Sequence, residues 1–272
     1  MKAYKLSKEK QAGVSKSYQV GNEWSPIYDR YMSASIKTLL DGDLDSNNLM
    51  FSNFFRLPIS TGLHGLHFDM VEKYMNANVP AAQGDLQTYM DSIIHNLNLF
   101  IRNCPNVPIE KLVRPNIGNT YGYDIDGHYI SVCADYQYYQ ANKVLQLTKE
   151  LRRPRVVELG GGFGGFAYYL LRDRVGLTYF DFDLPEIVAL ASYYLLAAHP
   201  DRKIALYGEI DMEDCNFDDY DAILMPNFEI EKLKANSVDL AFNSYSLAEM
   251  EIDAIKIGLT QTNNFFSVKA LT

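Results

Sequence analysis

Residues 156–165 read VVELGGGFGG, a short apolar run that ends in five glycines out of six positions. The stretch FGGFAYYLLRD that follows has a helical pattern. A glycine cluster between a strand and a helix lets the backbone turn tightly and lets a ligand approach it closely. This junction constrains the chain toward a parallel sheet with a ligand crevice at its strand ends. The spacing satisfies two templates. Gly160, Gly162 and Gly165 make G-x-G-x-x-G, the dinucleotide signature, while Gly160, Gly162 and Gly164 make G-x-G-x-G with an acid, Glu158, two residues earlier.

From Arg155 onward, strand and helix patterns alternate. LTYFDFD reads as a strand and PEIVALASYYLLAAH as a helix opened by Pro185. KIALYGE, DAILMPNF and VDLAFNSY are further strands, SLAEMEIDAIKIGL is helical, and FFSVKAL is a last strand. Such alternation predicts an α/β domain over residues 151–272, a Rossmann-like parallel sheet with helices on both faces. Residues 1–150 read as mainly helical, a region expected to bind the acceptor or form a lid. Ser25-Pro26 supplies an N-cap and first-turn pair. Residues 63–76 and 134–151 are predicted helices. Residues 84–102 put Met90, Ile93, Ile94, Leu97 and Ile101 at helical spacing, and the proline-bearing residues 103–126 read as loop.

The strand YFDFD ends at Asp183, about 20 residues past Gly162, where a carboxylate can accept hydrogen bonds from both ribose hydroxyls. Glycine loop and acid together predict a nucleoside-bearing cofactor. Glu158 discriminates among such cofactors. A nicotinamide dinucleotide places its pyrophosphate over this turn, and a carboxylate there repels it. S-adenosylmethionine carries a sulfonium and an ammonium instead, which a carboxylate favours.

Composition removes other classes. The chain of 272 residues carries a net charge of −9, which disfavours nucleic-acid binding. Its three cysteines form no C-x-x-C, so neither a disulfide framework nor a zinc knuckle is written here. No metal centre is expected. The longest apolar stretch, residues 187–198, is shorter than the roughly 20 residues of a membrane span. With no apolar secretory segment at the N-terminus, the expected location is cytoplasmic.

VVELGGGFGG, YFDFDLPEIVALASYYL and NSVDLAFNSYSLAEM, in that order, resemble the class I S-adenosylmethionine-dependent methyltransferases. The combination of E-L-G-G-G-F-G-G, D-L-P-E and N-S-x-S-L-A-E-M is most similar to sugar O-methyltransferases found with bacterial surface-polysaccharide genes. The resemblance spans residues 119–257 and is diffuse before them. It implies an O-methyltransferase acting on a hydroxyl of a sugar or glycoconjugate. It implies that Gly160, Gly161 and Gly162 line the methionine part of the donor, with Glu158 near its ammonium, Asp183 on the ribose and Leu184 over the adenine. Asn243 and Ser244 fall where the fourth strand faces the donor. The adenine edge falls to Asn227 and Phe228, or to residues 208–212.

A hydroxyl nucleophile needs a positioned base, worth typically about 10²–10⁴-fold. Glu249 and Tyr245 follow the fourth strand directly, and His128 sits in the turn Asp124-Ile125-Asp126-Gly127-His128, which also reads as a plain Asp-Gly turn. His64 and His67, three apart, and Tyr136, Tyr138 and Tyr139 are further candidates. Full class I sheets have seven strands; this one reads as C-terminally short, ending with residues 265–271. An open parallel edge invites pairing, so a homodimer is plausible. Two other readings stand beside the methyltransferase: an NAD(P)-dependent oxidoreductase, and a truncated non-catalytic relative that binds cofactor or partner.

Overall fold

A computed structural model describes residues 1–21, 24–63, 83–244, 246 and 265–267. In chain order its principal elements begin with α1 (Lys2–Gln11), α2 (Ser33–Asp41), α3 (Leu44–Ser52) and α4 (Gln83–Asn103). The hairpin strands β1 (Gly122–Ile125) and β2 (His128–Ser131) and the helix α5 (Ala134–Leu147) follow. Then come β3 (Arg155–Leu159), α6 (Gly165–Asp173), β4 (Thr178–Asp183), α7 (Pro185–Ala198), β5 (Ile204–Leu206), β6 (Ala222–Pro226), β7 (Leu240–Asn243) and β8 (Phe265–Ser267). The chain divides into two compact units, Met1–Asp29 with Ala141–Thr272, and Arg30–Gln140. Among the described residues no helix is long and apolar enough to cross a membrane.

The unit Arg30–Gln140 is helical with one hairpin. A short helix Ser25–Ile27 leads through a π-helical stretch, Tyr28–Met32, into α2. Its N-cap is Trp24 rather than the expected Ser25, and Pro26 lies within the first turn, where its missing N–H costs nothing. Gly42, at φ 72°, ends α2 in the left-handed region, and the Asp43 side chain caps α3 by accepting from Ser46 N at 2.9 Å. On α4 the inward line is Ile93 and Phe100, both buried, with Leu97 half-buried between them. Of the apolar residues expected inward, Met90, Ile94 and Ile101 are exposed. Phe100 sets the phase instead, meeting Tyr138 edge-on at 6.0 Å.

The segment read as loop contains a hairpin. Ile125 pairs with His128 across a two-residue turn in which Asp126 and Gly127 both have positive φ, 51° and 79°. That turn twists with the strands and suits Asp-Gly. The predicted helix over residues 63–76 lies outside the described residues apart from its first residue. The helix expected over SLAEMEIDAIKIGL also lies outside them except for Ser246.

The second unit holds a six-stranded sheet in the order β5-β6-β4-β3-β7-β8, with every pairing parallel. The strand order reverses at β3, which lies between β4 and β7, so the carboxyl ends of β3 and β7 flank a topological switch point. β6 is inserted between β4 and the edge strand β5. It is the strand read from DAILMPNF.

The two sheet faces are covered differently. Phe166 of α6 stacks on Phe242 of β7 at 4.3 Å and lies 6.4 Å from the Tyr179 ring of β4. The opposite face carries Val157, Leu159, Phe180, Phe182, Ile223 and Met225. These pack on Tyr18, Met212, Phe228, Ile230, Leu233 and Val238, from the N-terminal segment and a stretch of loops and 3-10 turns. Burying each large apolar side chain contributes about 1.5–3 kcal/mol against leaving it in water.

The boundary expected at 150/151 differs from the observed division, because residues 1–29 pack with the sheet. Lys8 Nζ pairs with Glu186 at 2.5 Å, Tyr28 donates to the same carboxylate at 3.1 Å, and Tyr18 donates to Glu231 at 2.7 Å. Leu6 lies against Gly208. The N-terminal segment therefore touches the chain just after β4, β5 and β6.

Candidate functional site

The crevice forms where β3 breaks into the glycine loop. Gly160, Gly162 and Gly164 have φ of 76°, 61° and 88°, a backbone that side-chain-bearing residues adopt at a cost. Gly160 N donates to Phe182 O at 3.0 Å, tying the loop to the end of β4. Space is as limiting as angle. A Cβ on Gly161 would lie 2.5 Å from Asp181 Oδ1 and 2.8 Å from the Tyr179 hydroxyl, and one on Gly160 would lie 2.3 Å from Ser246 Oγ. Phe163 anchors the loop from inside, edge-on to Tyr194 at 5.1 Å. Gly160, Gly161, Gly162, Asp183, Leu184 and Ser244 are half-exposed among buried neighbours, and together they outline the opening.

Acids lie directly beneath. Glu158 and Asp181 are register partners on β3 and β4. Side chains alternate along a strand, so Tyr179, Asp181 and Asp183 share the face of Glu158. Glu158 is 3% exposed and accepts from the Tyr179 hydroxyl at 2.5 Å. Burial pushes its carboxyl up to about 8, the Tyr179 hydrogen bond opposes that rise, and the Asp183 charge adds to it. Desolvation, then the charges of Asp183 and Glu158, raise Asp181 well above the usual carboxylate range. Tyr179 is also raised, by burial first and then by the charge of Glu158, and remains a donor.

The loop's N–H groups turn onto these acids. Gly161 N donates to Asp181 Oδ1 at 3.1 Å and Gly162 N to Asp183 Oδ2 at 3.0 Å. Leu184 N donates to Asp183 Oδ1 at 2.7 Å. The Glu158 carboxylate is thus an interior group under the loop, paired with tyrosine, rather than a side chain on the crevice surface.

Asn243 ends β7, buried, and its amide donates to Leu159 O at 2.7 Å. Ser246 Oγ donates to the same carbonyl at 2.5 Å, and Asn243 also donates to Ser246 Oγ. Both side chains hold the end of β3, where the sheet opens and the ladder no longer satisfies that carbonyl. Pro226 is in register with Asp183, so Asn227 and Phe228 follow immediately beside it, whereas residues 208–212 follow the edge strand β5. Asn227 is buried and its Oδ1 has no hydrogen-bond partner. Phe228 packs edge-on to Tyr207 at 5.8 Å.

His128 is half-buried at the start of β2, in the other unit, and Tyr136, Tyr138 and Tyr139 lie in that unit too. Asp124 accepts from Gly127 N at 3.0 Å, as a turn residue does. Among the described residues no group of three or more His, Cys, Asp or Glu is placed to hold a metal ion. Tyr245, Glu249, His64 and His67 lie outside the described residues. Sequence reasoning missed Tyr179, Asp181 and Ser246. The signal for the first two was present: Y-F-D-F-D alternates polar and apolar residues, whereas a strand inside a covered parallel sheet is ordinarily apolar on both faces.

No family model matches the chain, and no curated protein matches it. Among solved structures, a SAM-dependent methyltransferase from Thiobacillus denitrificans in complex with S-adenosyl-L-homocysteine is similar at 15% identity and a TM-score of 0.31. That match covers 46% of this chain and 44% of the other. The mitomycin 7-O-methyltransferase MmcR matches at 14% identity and 0.33, over 51% of this chain and 39% of its own. WbdD, co-crystallised with the kinase inhibitor LY294002, matches at 18% identity and 0.35, over 51% and 30%. The chain therefore aligns with less than half the length of each of these proteins.

Proposed function

We propose that the protein is an S-adenosylmethionine-dependent O-methyltransferase whose acceptor is a hydroxyl of a sugar or glycoconjugate. The observation that carries the cofactor is the direction of the glycine-loop N–H groups. A dinucleotide-binding turn offers such donors to a pyrophosphate. Here Gly161 and Gly162 donate to Asp181 and Asp183, and Glu158 lies beneath them. Two phosphate charges would meet three carboxyl groups with the donors already engaged. A phosphate-free nucleoside with a cationic tail suits the same surroundings.

S-adenosylmethionine, when bound, supplies an electrophilic methyl group on its sulfonium. The residues of this chain bind and orient. Asp183 offers its carboxylate to the ribose hydroxyls, with Leu184 against the adenine. Asn227 offers a buried acceptor oxygen for the exocyclic amine of adenine, beside Phe228. Gly160, Gly161 and Gly162 give the backbone room for the amino-acid tail, and Asn243, with Ser244 next to it, fixes the β7 side of the crevice. Holding the acceptor oxygen in line can supply about 7–11 kcal/mol of the barrier. Glu249 and Tyr245, next along the chain from β7, are the leading candidates for the base that takes the hydroxyl proton.

The sugar class rests on the N-S-x-S-L-A-E-M resemblance. Its test is transfer of labelled methyl from S-adenosylmethionine to a panel of free sugars, nucleotide sugars and envelope glycoconjugates. Label in a base-stable ether supports the reading. No transfer across the panel, at donor concentrations that saturate the protein, would overturn it.

A further inference from the structure

The floor of the crevice holds more acid than cofactor recognition needs. Glu158, Tyr179 and Asp181 are 3%, 0% and 0% exposed and lie one backbone layer below the opening at Gly161. We infer that this layer keeps a proton in the ligand-free protein and releases it to solvent when an ammonium-bearing nucleoside settles over the loop. Cofactor binding is then coupled to ionisation of the Glu158–Asp181 pair. The inference rests on the cofactor reading above and goes beyond it in naming the group whose charge changes.

Three observations carry it. Asp181 Oδ1 accepts from Gly161 N, but Oδ2 is buried with no hydrogen-bond partner. A bare buried oxygen is costly on an ionised carboxylate and much less so on a neutral one. Glu158 stands in register with Asp181, and Asp183 follows two residues later, so further negative charge accumulates on one face. Among the described residues, the neighbours in register or in ring contact with this layer are apolar: β6 contributes Leu224 and Pro226, β7 contributes Phe242, and α6 contributes Phe166. From β4 the Tyr179 hydroxyl donates to Glu158 and stays protonated.

The directions of titration agree, since burial raises both carboxyls. Two acids this close titrate in two coupled steps that belong to the pair, the first ionisation disfavouring the second. An ammonium nearby supplies the missing countercharge and favours the ionised form. The proton passes from a carboxyl to the buffer, and no bond in the ligand forms or breaks. Asp181 acts here as a positioning residue, holding Gly161 N–H with one oxygen while its charge answers to the ligand.

The test is titration calorimetry of the full chain at pH 7.5 in two buffers of different ionisation enthalpy. The ligands are S-adenosylhomocysteine and 5′-methylthioadenosine, which lacks the amino-acid tail. The expected result is release of up to about one proton with the first ligand and none with the second. Between pH 6 and 8 the affinity for S-adenosylhomocysteine should rise by up to about tenfold per pH unit. Asp181→Asn should flatten that rise; if the variant does not fold, the two-buffer comparison on the unmodified chain decides alone. Tight binding with equal heats in both buffers overturns this inference and leaves the cofactor reading intact. Equal proton release by both ligands also overturns it, because the tail is then not the trigger. Binding of neither ligand overturns the cofactor reading and this inference together.

Discussion

Two stretches of this chain look alike on paper: glycines beside acids, at residues 158–164 and at residues 124–128. In the fold they are opposites. The Asp-Gly turn of the hairpin is exposed, and a Cβ on Gly127 would meet nothing within 4 Å. Glycine is there for its backbone angle, and Asp124 folds back on the turn. In the loop after β3, a Cβ on Gly161 would strike Asp181 and Tyr179, although Gly161 itself has no positive φ. Angle alone marks a turn. Lack of room, over a buried acid layer, marks a surface shaped for close approach.

Asp183→Ala should separate the two regions most clearly. Loss of hydrogen bonds to a charged group predicts S-adenosylhomocysteine binding weaker by about 1.5–3 kcal/mol, whereas Asp124→Ala should leave it unchanged. Calorimetry on both variants checks this, and equal effects would erase the distinction. Next, Gly161→Ala should cost about 1–3 kcal/mol of stability through overpacking, and weaken binding with it. Gly127→Ala should cost about 1 kcal/mol through its angle alone, with binding intact. Urea midpoints for the pair measure the difference. Tyr179→Phe should destabilise by about 1–3 kcal/mol by leaving the Glu158 carboxyl without its donor.

The acid layer also predicts a slope with pH. Glu158 titrates near 4.5 when exposed and near 8 in the fold. Between those values the folded chain holds more protons than the unfolded one, so its contribution to stability falls as pH rises from about 4.5 to about 8. Glu158→Gln should remove that component. A denaturation series on both proteins tests the sign; a steeper fall in the variant would contradict it.

Much of this arrangement was legible in the sequence. VVELGGGFGG fixed the strand, turn and helix because glycine and apolar runs have few other uses. The inserted strand β6 was visible in AILMP. What escaped depends on distant partners. Nothing in KAYKLSKEKQ announces that Lys8 will meet Glu186 on α7, and the phase of α4 was set by Phe100 meeting Tyr138 rather than by its own apolar spacing. Nor does the sequence show that the Asn243 amide will satisfy the Leu159 carbonyl, a need that arises where two strands part.

Whether the acid-floored loop takes a phosphate-free nucleoside is decided by a crystal structure of the protein grown with saturating S-adenosylhomocysteine. The ribose hydroxyls should lie on Asp183 and the amino-acid tail above Gly160, Gly161 and Gly162. A crevice without that ligand, together with NAD seated by its pyrophosphate on the same glycines in a parallel crystal, would contradict it.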